Sequence, residues 1–120
     1  MIAPNVMQVI VERPEEMNLL GLFMRAALEE RLAALERARP SGVVAVTSGG
    51  MAVTLSCTPE HVTIRKGASD RVDARLGGEL GALAQLAGGR MVDPLLRRQI
   101  QIGGNPLKLL PLARVFWESR

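Results

Sequence analysis

The stretch Arg97-Arg98-Gln99-Ile100-Gln101-Ile102-Gly103-Gly104-Asn105-Pro106-Leu107 decides how the rest of the chain is read. From Arg98 to Ile102 polar and apolar residues alternate, which is the period of a strand with one buried face. Two glycines interrupt that period, and a helix start follows. The Asn105 side chain can accept from an orphan amide of a first turn, and Pro106 then falls where a missing N–H costs nothing. From Leu107 to Trp117 only Lys108 and Arg114 are charged. They stand about 240° apart around a helix, so they mark no single polar face. A surface helix needs one apolar stripe, so this one has apolar area to spare. Pro111 is expected to kink or break it.

Working back toward the N-terminus, Gly88-Gly89 and Gly77-Gly78 bracket a helix over Glu79–Ala87, and Asp93-Pro94 opens a short turn. Before it the period is two. Val43–Thr47 reads as a strand, Ser48-Gly49-Gly50 as a tight turn, and Met51–Cys57 as a strand with Met51, Val53, Leu55 and Cys57 on one face. Thr58-Pro59-Glu60 is the next turn. His61–Lys66 then buries Val62 and Ile64, and Arg71–Leu76 buries Val72, Ala74 and Leu76. Four strands in succession with one apolar and one wet face suit a largely antiparallel sheet covered on one side. About twenty residues precede the fifth strand, enough for a helical crossover and therefore parallel pairing. Ile100 and Ile102 are its buried residues.

Upstream of the strands, Glu15-Glu16 favour a helix start and Pro40 a stop, so one helix is expected over 16–39. Met17, Leu20, Met24, Leu28 and Leu35 form its stripe, with Arg25, Glu29 and Glu36 opposite. Val6–Val11 could be an edge strand, a short helix or an arm docking on a partner. The expected architecture is α/β in the α+β sense: a five-stranded, mostly antiparallel sheet with one crossover and helices packed on one face. It forms a single domain over 1–120: an arm at 1–15, a helix at 16–39, four strands in 43–76, helices in 79–97, a strand at 98–102 and a helix at 105–118.

Composition narrows the function classes. Hydrophobic residues make up 48% of 120, yet there are two Phe, one Trp and no Tyr, so the core is aliphatic. No run approaches the ~18 apolar residues of a membrane span. No signal peptide is read before Val6, and the lone Cys57 suits a reducing compartment, so a cytoplasmic protein is expected. Residues 1–60 carry five basic and seven acidic side chains, residues 61–120 ten and five. That basic half raises nucleic acid or an anionic membrane as a partner. No aromatic interleaves Arg65, Arg71, Arg75, Arg97 and Arg98, so there is no stacking platform for bases. A solvated face is the first reading of these arginines and transient contact with an anionic membrane the second. Nucleic acid is not expected.

Three segments carry a family resemblance: Met51–Leu55 with Val62–Gly67; Asp70–Leu76 with the helix Leu80–Gly88; and Asp93-Pro94 through Ile100-Gln101-Ile102-Gly103-Gly104-Asn105. In order and spacing, over roughly residues 17–117, they resemble the sterol carrier protein type 2 family. The resemblance implies helices on one face of a sheet and, between the layers, an apolar tunnel for sterols, fatty acyl chains, phospholipids or isoprenoid tails. Members often carry aromatics where Leu55, Leu95 and Leu96 stand here, and the chain ends without the peroxisomal tripeptide of eukaryotic members. An acyl or prenyl lipid is thus as much expected as a sterol.

The residues expected to line such a cavity are Leu55, Ile64, Leu76, Leu83, Leu86, Ile100, Ile102, Leu107, Leu110, Val115, Phe116 and Trp117. Two other readings of the last helix stand beside this one: a core helix wedged under the sheet, and a dimerisation surface. The rival to lipid binding is accordingly an interaction or homodimerisation module with a self-filled core. Gly103-Gly104-Asn105 lacks the Lys-Ser/Thr of a phosphate loop and reads as a turn plus cap. His61 has no second ligand beside it, and Cys57 reads as a small buried hydrophobe. Asp70 with Asp73, and Glu29 with Glu30, offer no converging carboxylates. No enzyme activity, metal or cofactor is expected.

Overall fold

The structure, a computed structural model, describes residues 7–87 and 100–117. Six strands form one mixed sheet: β1 Gln8–Val11, β2 Gly42–Ser48, β3 Met51–Cys57, β4 His61–Lys66, β5 Ala74–Gly78 and β6 Ile100–Gly104. Across the sheet they stand in the order β1-β4-β3-β2-β5-β6. Among the described residues four α-helices accompany it: α1 Leu19–Glu29, α2 Leu32–Ala38, α3 Leu80–Ala87 and α4 Leu110–Trp117.

The central three strands follow from local chemistry. Gly49 and Gly50 both take positive φ, at 53° and 82°. That is the two-residue turn that matches the right-handed twist of flanking strands. It places Ser48 opposite Met51 and Val44 opposite Leu55. At the next turn Thr58 N donates to His61 O at 2.9 Å. The Thr58 hydroxyl accepts from Glu60 N and His61 N at 3.3 and 3.1 Å, closing the turn that Pro59 initiates.

The fourth expected strand departs from the expected meander. It starts at Ala74 rather than Arg71 and pairs parallel with β2, not antiparallel with β4. The registers explain how seven loop residues can join β4 to a parallel strand. Ala74 stands level with Val44, hence with Leu55 and Ile64, so β5 retreats by only about one pleat from the end of β4. Three strand spacings are about 14 Å sideways, well within the ~23 Å reach of seven residues. Thr54, on the face away from the helices, holds the crossing loop. Its hydroxyl donates to Gly67 O at 2.8 Å and accepts from Ser69 N at 3.0 Å. The crossing accounts for the burial of Thr54 and its neighbour Ala45 on a face expected to be wet throughout.

Asp73 then ties three strands together. Its amide donates to Val43 O at 2.8 Å, its Oδ2 accepts from Val43 N at 2.8 Å, and its carbonyl accepts from Asn105 N at 2.8 Å. The last strand therefore lies antiparallel to β5, not parallel, with Ile102 opposite Leu76 and Gly104 opposite Ala74. Gly77-Gly78 and Gly103-Gly104 are strand residues rather than turns. A Cβ on Gly77 would stand 2.7 Å from the Thr47 hydroxyl oxygen, so the missing side chain permits that approach.

Of the three readings of Val6–Val11, the edge strand holds for Gln8–Val11. β1 pairs parallel with β4, Val9 beside Val62 and Val11 beside Ile64, and brings the strand count to six instead of five. Arg65 reaches back to Glu12 at 3.3 and 3.4 Å across this edge. The expected 16–39 helix is two helices after a 3-10 turn at Pro14–Glu16. Asn18 starts the first: its Oδ1 accepts from Gly21 N at 2.9 Å and its Nδ2 donates to Ala52 O at 3.1 Å. No glycine or proline marks the break near Arg31. Its effect is tertiary: α1 packs on β1, β3 and β4, whereas α2 turns against α4. Leu20, Met24, Leu28 and Leu35 are buried as the stripe predicts.

At the C-terminal end Asn105 caps a 3-10 turn, Pro106–Lys108, by accepting from Leu107 N at 3.0 Å. The α-helix begins only at Leu110, five residues later than the expected 105 start. Pro111 therefore sits in a first turn, where no intrahelical bond is lost, and it does not kink the helix.

Candidate functional site

Strand registers carry one apolar surface across the whole helix-facing side. It runs from Val9 and Val11 through Val62 and Ile64, Cys57, Leu55 and Val53, Val44 and Val46, Ala74 and Leu76, to Ile102. Coverage of this surface is uneven. Over β4, β3 and β2 it is sealed: Val62, Ile64, Leu55, Val53, Val44 and Val46 are buried. Toward β6 the seal fails, with Leu76 and Ile100 only partly buried. Ile102 is 55% exposed, Leu107 72% and Leu110 43%.

The expected cavity residues divide along this gradient. Leu55, Ile64, Leu83 and Val115 lie inside the core. Leu76 and Ile100 form its margin, and Ile102, Leu107 and Leu110 stand outside it. The reading of Ile102 as buried is thus corrected, because alternation assigns a face but not a cover. Leu86, Phe116 and Trp117 belong to α3 and α4, and their side chains lie outside the described ones. Val72, also expected inside, is only partly buried in the crossing loop.

Little polar chemistry accompanies this surface. Cys57 is buried, and loss of hydration pushes its thiol from the ordinary 9.0 up to about 11, so it stays neutral near pH 7. Among the described residues no group of three His, Cys, Asp or Glu side chains could hold a metal ion. His61 sits at the β3–β4 turn with its Nδ1 3.3 Å from the Thr58 hydroxyl. Arg71 and Arg75 are exposed, the latter on the face away from the helices; Arg97 and Arg98 lie outside the described residues. An apolar margin without converging polar groups can hold a ligand by burial, at about 25 cal/mol per Å2, and gives little discrimination between similar chains.

Sequence reading missed Asp73, whose role is to set the β5–β6 margin. Its signal was indirect: Gly42 and Gly104 both approach it closely enough that a Cβ on either would collide with its atoms. A second apolar exposure, Leu19 and Leu22 on α1, was also missed, since both fell outside the helix stripe without being polar.

No protein-family model matches the chain, and no curated protein matches its sequence. Solved structures do match. A protein described as "UbiJ-SCP2 Ubiquinone synthesis protein" superposes with a TM-score of 0.65 at 16% identity, over 86% of this chain and 95% of that one. The sterol carrier protein domain 2 of Helicoverpa armigera gives 0.59 at 15% identity, over 92% and 96%. A crystal structure of sterol carrier protein 2 gives 0.51 at 20%, over 78% and 87%. Sheet and helices together are those of a sterol carrier protein 2 domain, and that is the fold of this chain.

Proposed function

We propose that the protein binds a lipid, holding its apolar tail against the helix-facing side of the sheet at the β5–β6 edge. One observation carries this reading. The apolar face of a sterol-carrier fold continues past its sealed core to a margin, Leu76, Ile100 and Ile102, that the described side chains leave partly or largely uncovered. Each side chain of this type fully covered by a tail contributes about 1.5–3 kcal/mol. The proposed action is passive binding and transfer, with no bond made or broken. Sterol, acyl, phospholipid and isoprenoid tails all meet the chemical requirement; the structural likeness to a ubiquinone-synthesis protein supports the isoprenoid class. The lone buried Cys57 suits a reducing compartment such as a bacterial cytoplasm.

Denaturing extraction of purified protein followed by mass spectrometry tests this directly. Recovery of one lipid class near stoichiometry is the expected result. A preparation that is lipid-free, and that takes up no acyl, prenyl or sterol ligand offered in detergent, would sink the proposal.

A further inference from the structure

Among the described residues two that are not glycine hold the left-handed backbone region, Arg13 at φ 49° and Arg39 at φ 44°. That region is costly for a residue with a side chain, so each instance asks for a reason. Arg39 has one: it ends α2, its N–H donating to Leu35 O at 2.8 Å. Arg13 has no comparable role. It precedes Pro14, where extended backbone is favoured, and its side chain makes no capping bond to the 3-10 turn that follows.

Arg13 is the corner between two fixed points. On one side Glu12 N donates to Ile64 O at 3.0 Å, a rung joining the β1 edge to β4. On the other, Asn18 holds Ala52 O through its Nδ2 at 3.1 Å. No residue of Pro14–Glu16 between them is buried. Beyond the corner β1 is a well-fitted element. Met7 is buried, Val9 and Val11 pack on the core beside Val62 and Ile64, and Glu12 receives Arg65. The sheet ends at β1, so this element can leave sideways without crossing another strand.

We infer that β1 exchanges between two copies of this chain, each giving Met7–Glu12 to the β4 edge of the other. The acceptor edge fits its occupant because the identical segment fills it within one chain, so exchange keeps every β1–β4 bond and alters only the hinge. Opening the hinge releases Arg13 to the extended backbone that Pro14 favours. A short hinge under strain is the condition that invites such an exchange. The two hinges pass antiparallel at the twofold axis, which sets Arg13 of one copy against Glu15 and Glu16 of the other. A β1 that swung free without an acceptor would leave β4 backbone groups bare and Met7 in water, so the open form needs a second copy. β6 stands at the opposite edge of the sheet. Exchange therefore leaves both β5–β6 margins as they are, and the inference stands apart from the lipid-binding reading.

Sedimentation of the full chain over a concentration series is expected to show monomer passing to dimer. Arg13→Gly removes the left-handed penalty from the closed corner. It is expected to raise the dimer dissociation constant about thirtyfold to several hundredfold, the relief at two hinges. Arg39→Gly relieves the same strain equally in both forms and should leave that constant within about twofold. Crosslinking reads the exchange directly, because Ile10 and Thr63 are register partners on the face away from the helices. Two Cys57→Val chains, one carrying Ile10→Cys and the other Thr63→Cys, are co-expressed and oxidised. Neither can close a disulfide within itself, so a linked pair of unlike chains is the expected product of crossed strands. A chain that stays monomeric at every concentration overturns the inference, as does a dimer that gives no such crosslink. Equal effects of Arg13→Gly and Arg39→Gly overturn it too.

Discussion

Gly104 offers the sharpest test of how the β5–β6 margin is built, through Gly104→Ala. Its φ is +72°, and a Cβ there would lie 2.7 Å from Asp73 O and 2.9 Å from Ala74 Cα. Both are backbone atoms of β5, so no rotamer change relieves the overlap. The left-handed conformation alone costs a non-glycine residue about 1–2 kcal/mol. Moving β6 outward to clear the clash stretches the 2.8 Å bond from Asn105 N to Asp73 O, a further loss of about 0.5–1.5 kcal/mol. Allowing for residual overlap, the expected destabilisation is about 2–4 kcal/mol, a large share of the ~5–15 kcal/mol typical of a domain. Gly49→Ala is the internal control: φ is +53°, but nothing lies within 4 Å of the added Cβ, so it meets only the conformational cost of about 1 kcal/mol. Urea unfolding followed by circular dichroism measures both. At about 4 °C per kcal/mol, melting should fall by roughly 8–16 °C for Gly104→Ala and about 4 °C for Gly49→Ala. Equal losses for the two variants would refute the claim that backbone approach to β5 sets this position.

Three further outcomes follow from the same geometry. Asp73→Ala should cost about 1–2 kcal/mol by orphaning Val43 N, while Asp73→Asn, which keeps an acceptor oxygen, should recover most of it in the same unfolding assay. Cys57 has its thiol raised from 9.0 to about 11 by burial. Its contribution is therefore complete below pH 9 and is lost as pH rises toward 11, because the unfolded thiol ionises first; Cys57→Val should flatten that part of the stability profile relative to the parent chain. Trp117, the single tryptophan, closes α4, and its emission should move to shorter wavelength when an acyl or prenyl ligand binds; a constant spectrum with binding proven by mass spectrometry would remove Trp117 from the site.

Much of the fold was legible where the physics is local. Met51–Cys57 and His61–Lys66 were read to the residue, and Val43–Thr47 to within one at each end. Period-two alternation, two glycines at a tight turn and a Thr-Pro-Glu turn act over a few residues and need no partner. The stripe of α1 and the Asn105 cap are of the same kind. The candidate site was legible only in part. Leu55, Ile64 and Val115, expected to line a cavity, lie in the buried core, and alternation could not distinguish Leu55, under α1, from Ile102, at an open edge.

By itself, the sequence determined that an aliphatic, one-sided sheet would form with helices against it, and that its C-terminal segment would carry more apolar surface than a surface helix needs. Tertiary structure decided which strands are neighbours. β1 joined β4 in parallel, β5 left the meander for β2, and β6 ran antiparallel beside it. Those choices depend on bonds between residues far apart in the chain: Thr54 with Gly67 and Ser69, and Asp73 with Val43 and Asn105. Side-chain period is blind to them, because each strand keeps its inward face whichever neighbour it takes. The same long-range pairing set β6 at the rim. It thereby turned an apolar strand end into the exposed margin on which the proposed function rests.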